Sequence, residues 1–292
     1  MHSDQLQHAY QYCQNLAKQH YENFPVASWF LPKKLRQPIT VIYAFARTAD
    51  DFADEGNLTS QQRLQLLANY HHELSLLKQN KAISDNPIFI ALADIIQQFQ
   101  LPVQLFHHLL DAFEQDVDTG EYNNFNQLLD YCNKSANPVG RLLLYLHKQS
   151  SPHNLQLSDQ ICTALQLINF LQDLQQDAQE SHRLYISLED LKSFQLNHDE
   201  LINRIKSGQN FNNNETLLFN QQIHRAEKLL LDGKPLIKKL SGRFRLEIAL
   251  IVNSGLKILQ KLKKSRKFSD RPRLNKRDKS AIIFTTIQSY WS

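Results

Sequence analysis

The sequence has few of the residues that interrupt regular secondary structure: it contains 7 glycines and 9 prolines among 292 residues. Glycine and proline mark many tight turns, and a β fold built from many short strands needs such turns at frequent intervals. Their scarcity therefore argues against that class of fold and favours long helices. Hydrophobic residues make up 42% of the chain, which is enough for a sizeable core.

Cysteine is also scarce. Cys13, Cys132 and Cys162 lie far apart and form neither a CxxC pair nor a metal-ligand spacing, so a disulfide framework is not expected. The first residues have neither the charged region nor the apolar region of a secretory signal. No apolar run approaches the roughly 18–20 residues that a membrane-spanning helix needs. We therefore expect a cytoplasmic protein, and any membrane contact is expected at the surface.

Helical periodicity prevails along the chain, and no alternating strand pattern stands out. The clearest helices are expected from Pro38 to Glu55, from Ser158 to Gln179 and from Pro235 to Leu262. A break at Asn137-Pro138-Val139-Gly140 is of the kind that often lies beside a ligand. No linker is long enough to separate domains. We expect one all-α domain, residues 1–292, with a basic C-terminal segment at residues 261–292.

Two pairs of aspartates, each spaced four residues apart, are the most informative feature. Asp50 and Asp54 form the first pair, and Asp173 and Asp177 form the second. Residues four apart share one helix face, where like charges cost about 0.2–0.5 kcal/mol. A single such pair is more often a solvated face, but two pairs within apolar stretches favour a bound cation. Carboxylate oxygens suit Mg²⁺, which binds through carboxylates and substrate phosphates.

Other residues near these pairs suit a diphosphate ester. Asn169 lies one turn before the second pair and offers a neutral oxygen ligand. Arg47 precedes the first pair and Arg183 follows the second, so each can reach a phosphate. Departure of diphosphate from an allylic or cyclopropylcarbinyl ester leaves a carbocation, which needs an apolar, aromatic-lined cavity. The candidate lining residues, which are also typical of a core, are Phe24, Phe30, Tyr43, Phe45 and Phe170.

Both aspartate segments resemble motifs of the squalene/phytoene synthase family. The stretch YAFARTADDFADE, from Tyr43 to Glu55, resembles the first aspartate-rich motif of that family. The stretch QLINFLQDLQQD, from Gln166 to Asp177, resembles the second, together with the following Arg183-Leu184-Tyr185. The resemblance extends over most of the chain. It implies an all-α isoprenoid-synthase helical bundle in which the two motifs face each other across a central cavity.

Within this family, three stretches are similar to the hydroxysqualene synthases of bacterial hopanoid pathways: residues 20–28, 45–55 and 271–278. This similarity implies a carbon–oxygen lyase that converts presqualene diphosphate and water to hydroxysqualene and diphosphate with Mg²⁺. No reductant is then needed. Independently, no glycines are spaced as GxGxxG, so the sequence predicts no Rossmann unit for NADPH.

The resemblance also implies roles for individual residues. Mg²⁺ and the diphosphate are expected at Asp50, Asp54, Asp173 and Asp177, assisted by Asn169. The phosphate contacts are expected from Arg47 and Arg183. The hydrocarbon pocket is expected to be shaped by Phe24, Tyr43, Tyr131 and Tyr185, with His20 at its mouth.

The chain departs from some relatives at three positions. Gln172 stands where some carry arginine, so one diphosphate contact is missing or is supplied from elsewhere. Glu247 and Asn253 lie in a late helix where some relatives carry tyrosine. The residue that activates the captured water is left open.

Two other functions remain open at this point. A related enzyme that joins two farnesyl diphosphates head-to-head into presqualene diphosphate, or two geranylgeranyl diphosphates into phytoene, would use the same metal site. A non-catalytic helical protein could bind nucleic acid through its basic C-terminal segment, but it would leave both aspartate pairs unexplained. We expect no nucleic acid as partner. The basic segment is better suited to peripheral contact with an anionic membrane, at its inner face.

Overall fold

The computed structural model describes residues 2–19, 32–78, 84–118 and 120–291, with side chains described from residue 4 to residue 286 within these ranges. Helices account for most of these residues, and no strand forms among them apart from an isolated bridge between Asn210 and Lys267. The expected all-α class is therefore confirmed. In the same part of the chain, no helix is long and apolar enough to cross a membrane.

The helices of the described residues are, in chain order, α1 (His2–Gln19), α2 (Lys33–Asp54), α3 (Ser60–Lys78), α4 (Pro87–Phe99), α5 (Val103–Asp118), α6 (Phe125–Ser135), α7 (Asn137–Leu146), α8 (Pro152–Gln172), α9 (Leu174–Glu180), α10 (Leu188–Ser193), α11 (His198–Lys206), α12 (Asn213–Gly233), α13 (Leu236–Lys239), α14 (Gly242–Leu262) and α15 (Lys276–Trp291). They divide between two compact units. The first unit comprises residues 1–119 and 138–150, and the second comprises residues 120–137 and 151–292.

The core of the first unit is built around Phe45 of α2. This side chain is fully buried and packs edge-on against Phe89 and Phe106, with ring centroids 5.9 and 5.3 Å away. Ala49 follows on the same helix face and is also fully buried. Successive residues of a helix are rotated by about 100°, so Arg47, Asp50 and Asp54 lie on the side of α2 away from Phe45. Burial of Phe45 thus positions the first aspartate pair.

The second unit is centred on the contact between α8 and α12. Gly233, at the end of α12, lies so close to α8 that an added Cβ would come within 2.8 Å of the Leu157 carbonyl oxygen. Only glycine fits this approach. Ser151 caps α8 by accepting a hydrogen bond from the Asn154 amide at 3.3 Å. These two contacts fix the position of α8, the helix that carries the start of the second aspartate motif.

Three expected helix boundaries are wrong. Helix α2 begins at Lys33 rather than Pro38, because Leu35 is buried and adds a turn before the proline. The helix expected from Ser158 to Gln179 begins at Pro152 and is interrupted at Asp173, whose backbone has φ −97° and ψ 7°. The helix expected from Pro235 to Leu262 is divided by extended backbone at Leu240 and Ser241.

The break expected near Pro138 lies between α6 and α7, where Ala136 is the one residue outside both helices. Its neighbour Asn137 is 2% exposed. The Thr163 hydroxyl of α8 donates a hydrogen bond to Asn137 Oδ1 at 3.0 Å. This buried hydrogen bond connects the interruption between α6 and α7 with α8, the helix that carries the start of the second aspartate motif.

Candidate functional site

The first group of acidic side chains occupies the last two turns of α2. Arg47 lies among them: its Nη1 atom is 3.0 Å from Asp50 Oδ2, and its Nη2 atom is 2.6 Å from Asp51 Oδ1. Glu55, just beyond the helix, completes this set with a third ion pair to the same guanidinium. Arg47 therefore binds acidic side chains in this structure, and its expected contact with phosphate stays a prediction.

Despite this cation, the pKa of Asp50 is raised to about 7. Burial is the largest cause, and the neighbouring charge of Asp54 is the second. A further carboxylate from another helix, Asp116 of α5, adds to the repulsion. Asp116 was missed by the sequence reasoning because several acids share its helix and no spacing distinguishes it. The group holds more negative charge than Arg47 neutralises.

The two aromatic candidates of α2 have different positions. Tyr43 lies one turn before Arg47 on the same face, and burial raises the pKa of its hydroxyl. Phe45 lies on the opposite face within the core. Tyr43 therefore remains a candidate for the hydrocarbon pocket, whereas Phe45 is a core residue.

The second group lies in the other unit, where α8 passes into α9. The helical hydrogen bonds continue through the interruption: the Asp173 amide donates to the Asn169 carbonyl, and the Asp177 amide donates to the Asp173 carbonyl, both at 2.8 Å. These three residues therefore keep helical spacing. The pKa of Asp177 is raised to about 7, first by burial and then by the charge of Asp173. Arg183 acts in the opposite direction.

The basic C-terminal segment reaches this second group. Arg271 Nη2 lies 2.6 Å from Asp173 Oδ1. The adjacent residue is held as well, because Gln172 Nε2 donates a hydrogen bond to the Pro272 carbonyl oxygen at 2.6 Å. The sequence reasoning missed Arg271 as a site residue, although it had singled out the stretch that contains it. A cation beside the second pair is thus supplied from a remote part of the chain.

Aromatic side chains accompany the second group. The rings of Phe170 and Tyr185 are stacked, with centroids 3.9 Å apart and planes 7° from parallel. Tyr131 lies 5.9 Å from the Tyr185 ring, and Tyr122 lies 5.8 Å from the Tyr131 ring. The structure therefore brings together Tyr131 and Tyr185 as expected, and it adds Tyr122, whose place in the sequence gave no signal.

The remaining candidates have separate outcomes. His20, Phe24 and Phe30 lie outside the described residues. Asn253 Nδ2 donates a hydrogen bond to the Thr286 hydroxyl at 2.7 Å, and so connects α14 with α15. Burial raises the pKa of Glu247 on the same helix.

Comparison with known proteins agrees with these features. A family model described as squalene/phytoene synthase matches residues 17–278. The chain belongs to the squalene/phytoene synthase family. The family identified from the aspartate motifs is thereby confirmed. Members of this family process prenyl diphosphates in isoprenoid biosynthesis.

Individual relatives extend over most of the chain. Hydroxysqualene synthase of Zymomonas mobilis is 32% identical, over 90% of this chain and 86% of its own length. The 4,4'-diapophytoene synthase of Staphylococcus haemolyticus is 30% identical, over 70% of this chain and 72% of its own. The crystal structure of squalene synthase HpnC from Alicyclobacillus acidocaldarius has a TM-score of 0.79 at 32% identity, covering 89% of this chain and 94% of that chain. The chain thus has the helical fold of the isoprenoid synthases.

Proposed function

We propose that this protein is a hydroxysqualene synthase, which converts presqualene diphosphate and water to hydroxysqualene and diphosphate. The similarity to the Zymomonas mobilis hydroxysqualene synthase over 90% of the chain supports this choice within the family. The two crowded acidic groups, each with an aspartate whose pKa is raised to about 7, support a reaction that depends on bound cations. The family model includes residues of both units, which supports our proposal that residues 1–292 act as one domain.

The residues of the two acidic groups suit the coordination chemistry of Mg²⁺. Each group offers hard oxygen donors. Burial, followed by repulsion between neighbouring carboxylates of the same group, raises the pKa of Asp50 and of Asp177, and a divalent cation would relieve that repulsion. The proposed metal-binding residues are Asp50, Asp54, Asn169, Asp173 and Asp177, with Asp116 as an addition from the structure. When bound there, Mg²⁺ would neutralise the charge that develops on the departing diphosphate.

The protein's own side chains have the remaining tasks. Arg183 and Arg271 would bind the diphosphate while its bond to carbon breaks and the electron pair leaves with oxygen. The aromatic faces of Tyr131, Phe170 and Tyr185 would stabilise the carbocation and limit access of water during its rearrangement. One water molecule then bonds to the cation and releases a proton. No hydride donor takes part, so we propose that NADPH is not required.

A second candidate function is head-to-head condensation of two prenyl diphosphates, to presqualene diphosphate or to a phytoene. The observation that favours it is the 30% identity to a 4,4'-diapophytoene synthase. The same acidic groups would serve that reaction. The narrower extent of this match, 70% of the chain against 90% for the hydroxysqualene synthase, favours the first proposal.

A nucleic-acid-binding function fits the structure poorly. Several cations of the basic C-terminal segment are already paired with acids of the same unit. Lys261 Nζ lies 2.5 Å from Asp278 Oδ2, and Lys263 Nζ lies 2.7 Å from Glu227 Oε1. Since Arg271 is paired as well, the segment is less free to bind phosphate backbones than its composition suggests.

We further propose that α15 contacts an anionic membrane at the cytoplasmic surface. Ile283 and Phe284 are 50% and 63% exposed, and Lys276, Arg277 and Lys279 lie in the first turn of the same helix. An apolar pair beside basic residues suits the interface of an anionic bilayer. In liposome flotation, wild type should float with anionic vesicles, and the change of both apolar residues to serine should reduce this. Leu217→Ser, at an exposed site on α12, is the matched control.

The function itself is tested by a product assay. Purified protein receives Mg²⁺ without a nicotinamide, and presqualene diphosphate and farnesyl diphosphate are offered separately. Gas chromatography should find hydroxysqualene from presqualene diphosphate alone, and a chelator should abolish its formation. Presqualene diphosphate or a phytoene-type hydrocarbon from farnesyl diphosphate would instead establish the condensing enzyme.

A further inference from the structure

A second set of metal-ligating side chains lies between α3 and α5 of the first unit. His71 comes from α3, whereas His107, Asp111 and Glu114 come from α5. The α5 residues are spaced i, i+4 and i+7, so they lie on one face of that helix. His71, Asp111 and Glu114 are the candidate ligands among the described residues: one ligand atom from each lies within 4.8 Å of the others. None of these residues belongs to the acidic group of α2.

The His71 ring is oriented through one of its nitrogens. His71 Nδ1 lies 2.7 Å from His107 Nδ1, and the two rings meet edge to edge and are nearly coplanar, with centroids 5.0 Å apart and planes 12° from parallel. At this distance one nitrogen must donate a hydrogen bond to the other. If the proton is on His71 Nδ1, then His71 Nε2 carries the lone pair that a metal needs.

The second nitrogen of His71 faces the two carboxylates. Nε2 lies 3.6 Å from Asp111 Oδ1 and 3.5 Å from Glu114 Oε1. These distances are too long for good hydrogen bonds. They match the separation of about 3.4 Å between two ligands of a tetrahedral ion whose bonds are about 2.1 Å long, as in zinc sites. The side chains are 23–35% exposed, so an ion has access from solvent.

We propose that His71, Asp111 and Glu114 bind a divalent transition-metal ion, with Zn²⁺ as the best match to the geometry. His107 accepts the hydrogen bond from His71 Nδ1 and so fixes the orientation of the ligand ring, as partners of metal-bound histidines commonly do. One coordination position is left to water. The ion connects α3 with α5, the helix that also carries Asp116, and it stabilises this helix pair.

Metal titration distinguishes a metal site from a purely structural contact between His71 and the two carboxylates. Metal-free full-length protein is titrated with Zn²⁺ by calorimetry and with Co²⁺ by visible spectroscopy. Wild type should bind one more Zn²⁺ than His71→Ala. It should also give the strong visible bands of tetrahedral Co²⁺ without a thiolate charge-transfer band, which excludes the cysteines as ligands.

Two further variants make the test specific. His107→Ala should keep the additional site but weaken it by roughly 10- to 100-fold. His72→Ala, an exposed histidine next to His71, should bind like wild type. Circular dichroism confirms that each variant is folded.

The comparison is repeated with Asp50, Asp54, Asp173 and Asp177 changed to Asn, so that the proposed Mg²⁺ sites do not contribute. Equal Zn²⁺ stoichiometry and equal Co²⁺ spectra for wild type and folded His71→Ala would overturn the proposal.

Discussion

Arg271 forms an ion pair with Asp173, with 2.6 Å between the Nη2 and Oδ1 atoms. Nearly one hundred residues of sequence separate the two, and the hydrogen bond from Gln172 to the Pro272 carbonyl holds the basic segment at this place. The family resemblance implies arginine at this position in some relatives, whereas this chain has Gln172. Here the cation beside the second aspartate pair comes instead from the C-terminal segment.

Arg271→Ala should therefore impair catalysis more than stability. The ion pair is partly exposed, so its loss should change the free energy of unfolding by no more than about 1 kcal/mol. A charge-assisted hydrogen bond to diphosphate contributes about 1.5–3 kcal/mol, so kcat/KM should fall roughly 10- to 100-fold. Steady-state kinetics and urea unfolding measure the two effects. Arg273→Ala, exposed on the same segment, is the control, and an equal loss there would contradict the role of Arg271.

The double change Asp50→Asn with Asp54→Asn should abolish activity without unfolding the protein. It removes a like-charge pair, so metal-free stability should hold or rise by about 0.2–0.5 kcal/mol. Activity should fall by at least about 100-fold, because the diphosphate loses electrostatic stabilisation. Asp50 also pairs with Arg47 at 3.0 Å, but its raised pKa indicates that burial and the charge of Asp54 outweigh this pair. Asp51→Asn is the control, since it loses the shorter pair with Arg47, at 2.6 Å, keeps the repulsion between Asp50 and Asp54, and should not stabilise the fold. Unfolding of the double variant would count against the proposed metal role.

The raised pKa of Asp50 predicts a pH dependence in the absence of metal. Its folded pKa of about 7 lies above the ordinary value of 3.8, so between these values the folded state binds a proton that the unfolded state releases. Metal-free stability should therefore increase as the pH falls from about 7 towards 4, and Asp177 should add to the effect. Thermal unfolding with a chelator measures it. Asp50→Asn should show a weaker dependence, and an unchanged slope would disprove the assignment.

The stack of Phe170 on Tyr185 should matter for both stability and product purity. Tyr185→Phe keeps the stacked ring and should behave nearly as wild type. Tyr185→Ala removes it and should cost about 1–3 kcal/mol of unfolding free energy. Because water then reaches the carbocation earlier, gas chromatography should show additional alcohols. A single clean product from the folded alanine variant would argue against a pocket at this stack.

An ion pair between the buried Asp190 and the partly exposed Arg225 supports the fold of the second unit. Asp190 is bound by Arg225 Nη1 at 2.5 Å and by Nη2 at 2.9 Å. Burial alone would raise the pKa of Asp190, but the bonds from Arg225 and Ser187 outweigh it and lower the pKa below 3.8. Asp190→Ala removes these charge-assisted hydrogen bonds and should cost about 1.5–3 kcal/mol. Asp232→Ala, which breaks an exposed pair with Lys228, should cost no more than about 0.5 kcal/mol in the same urea titration.

The sequence by itself determined the helical class, the family and the two aspartate pairs. These features are local: a helix repeats every 3.6 residues, so spacing alone places Asp50 with Asp54 and Asp173 with Asp177 on common faces. It could not place Arg271 beside Asp173, Asp116 near Asp50, or His71 beside His107. Those neighbours come from different helices or from the remote C-terminal segment. Only the packing of buried side chains such as Phe45 fixes how each helix is rotated, and therefore which distant charges meet.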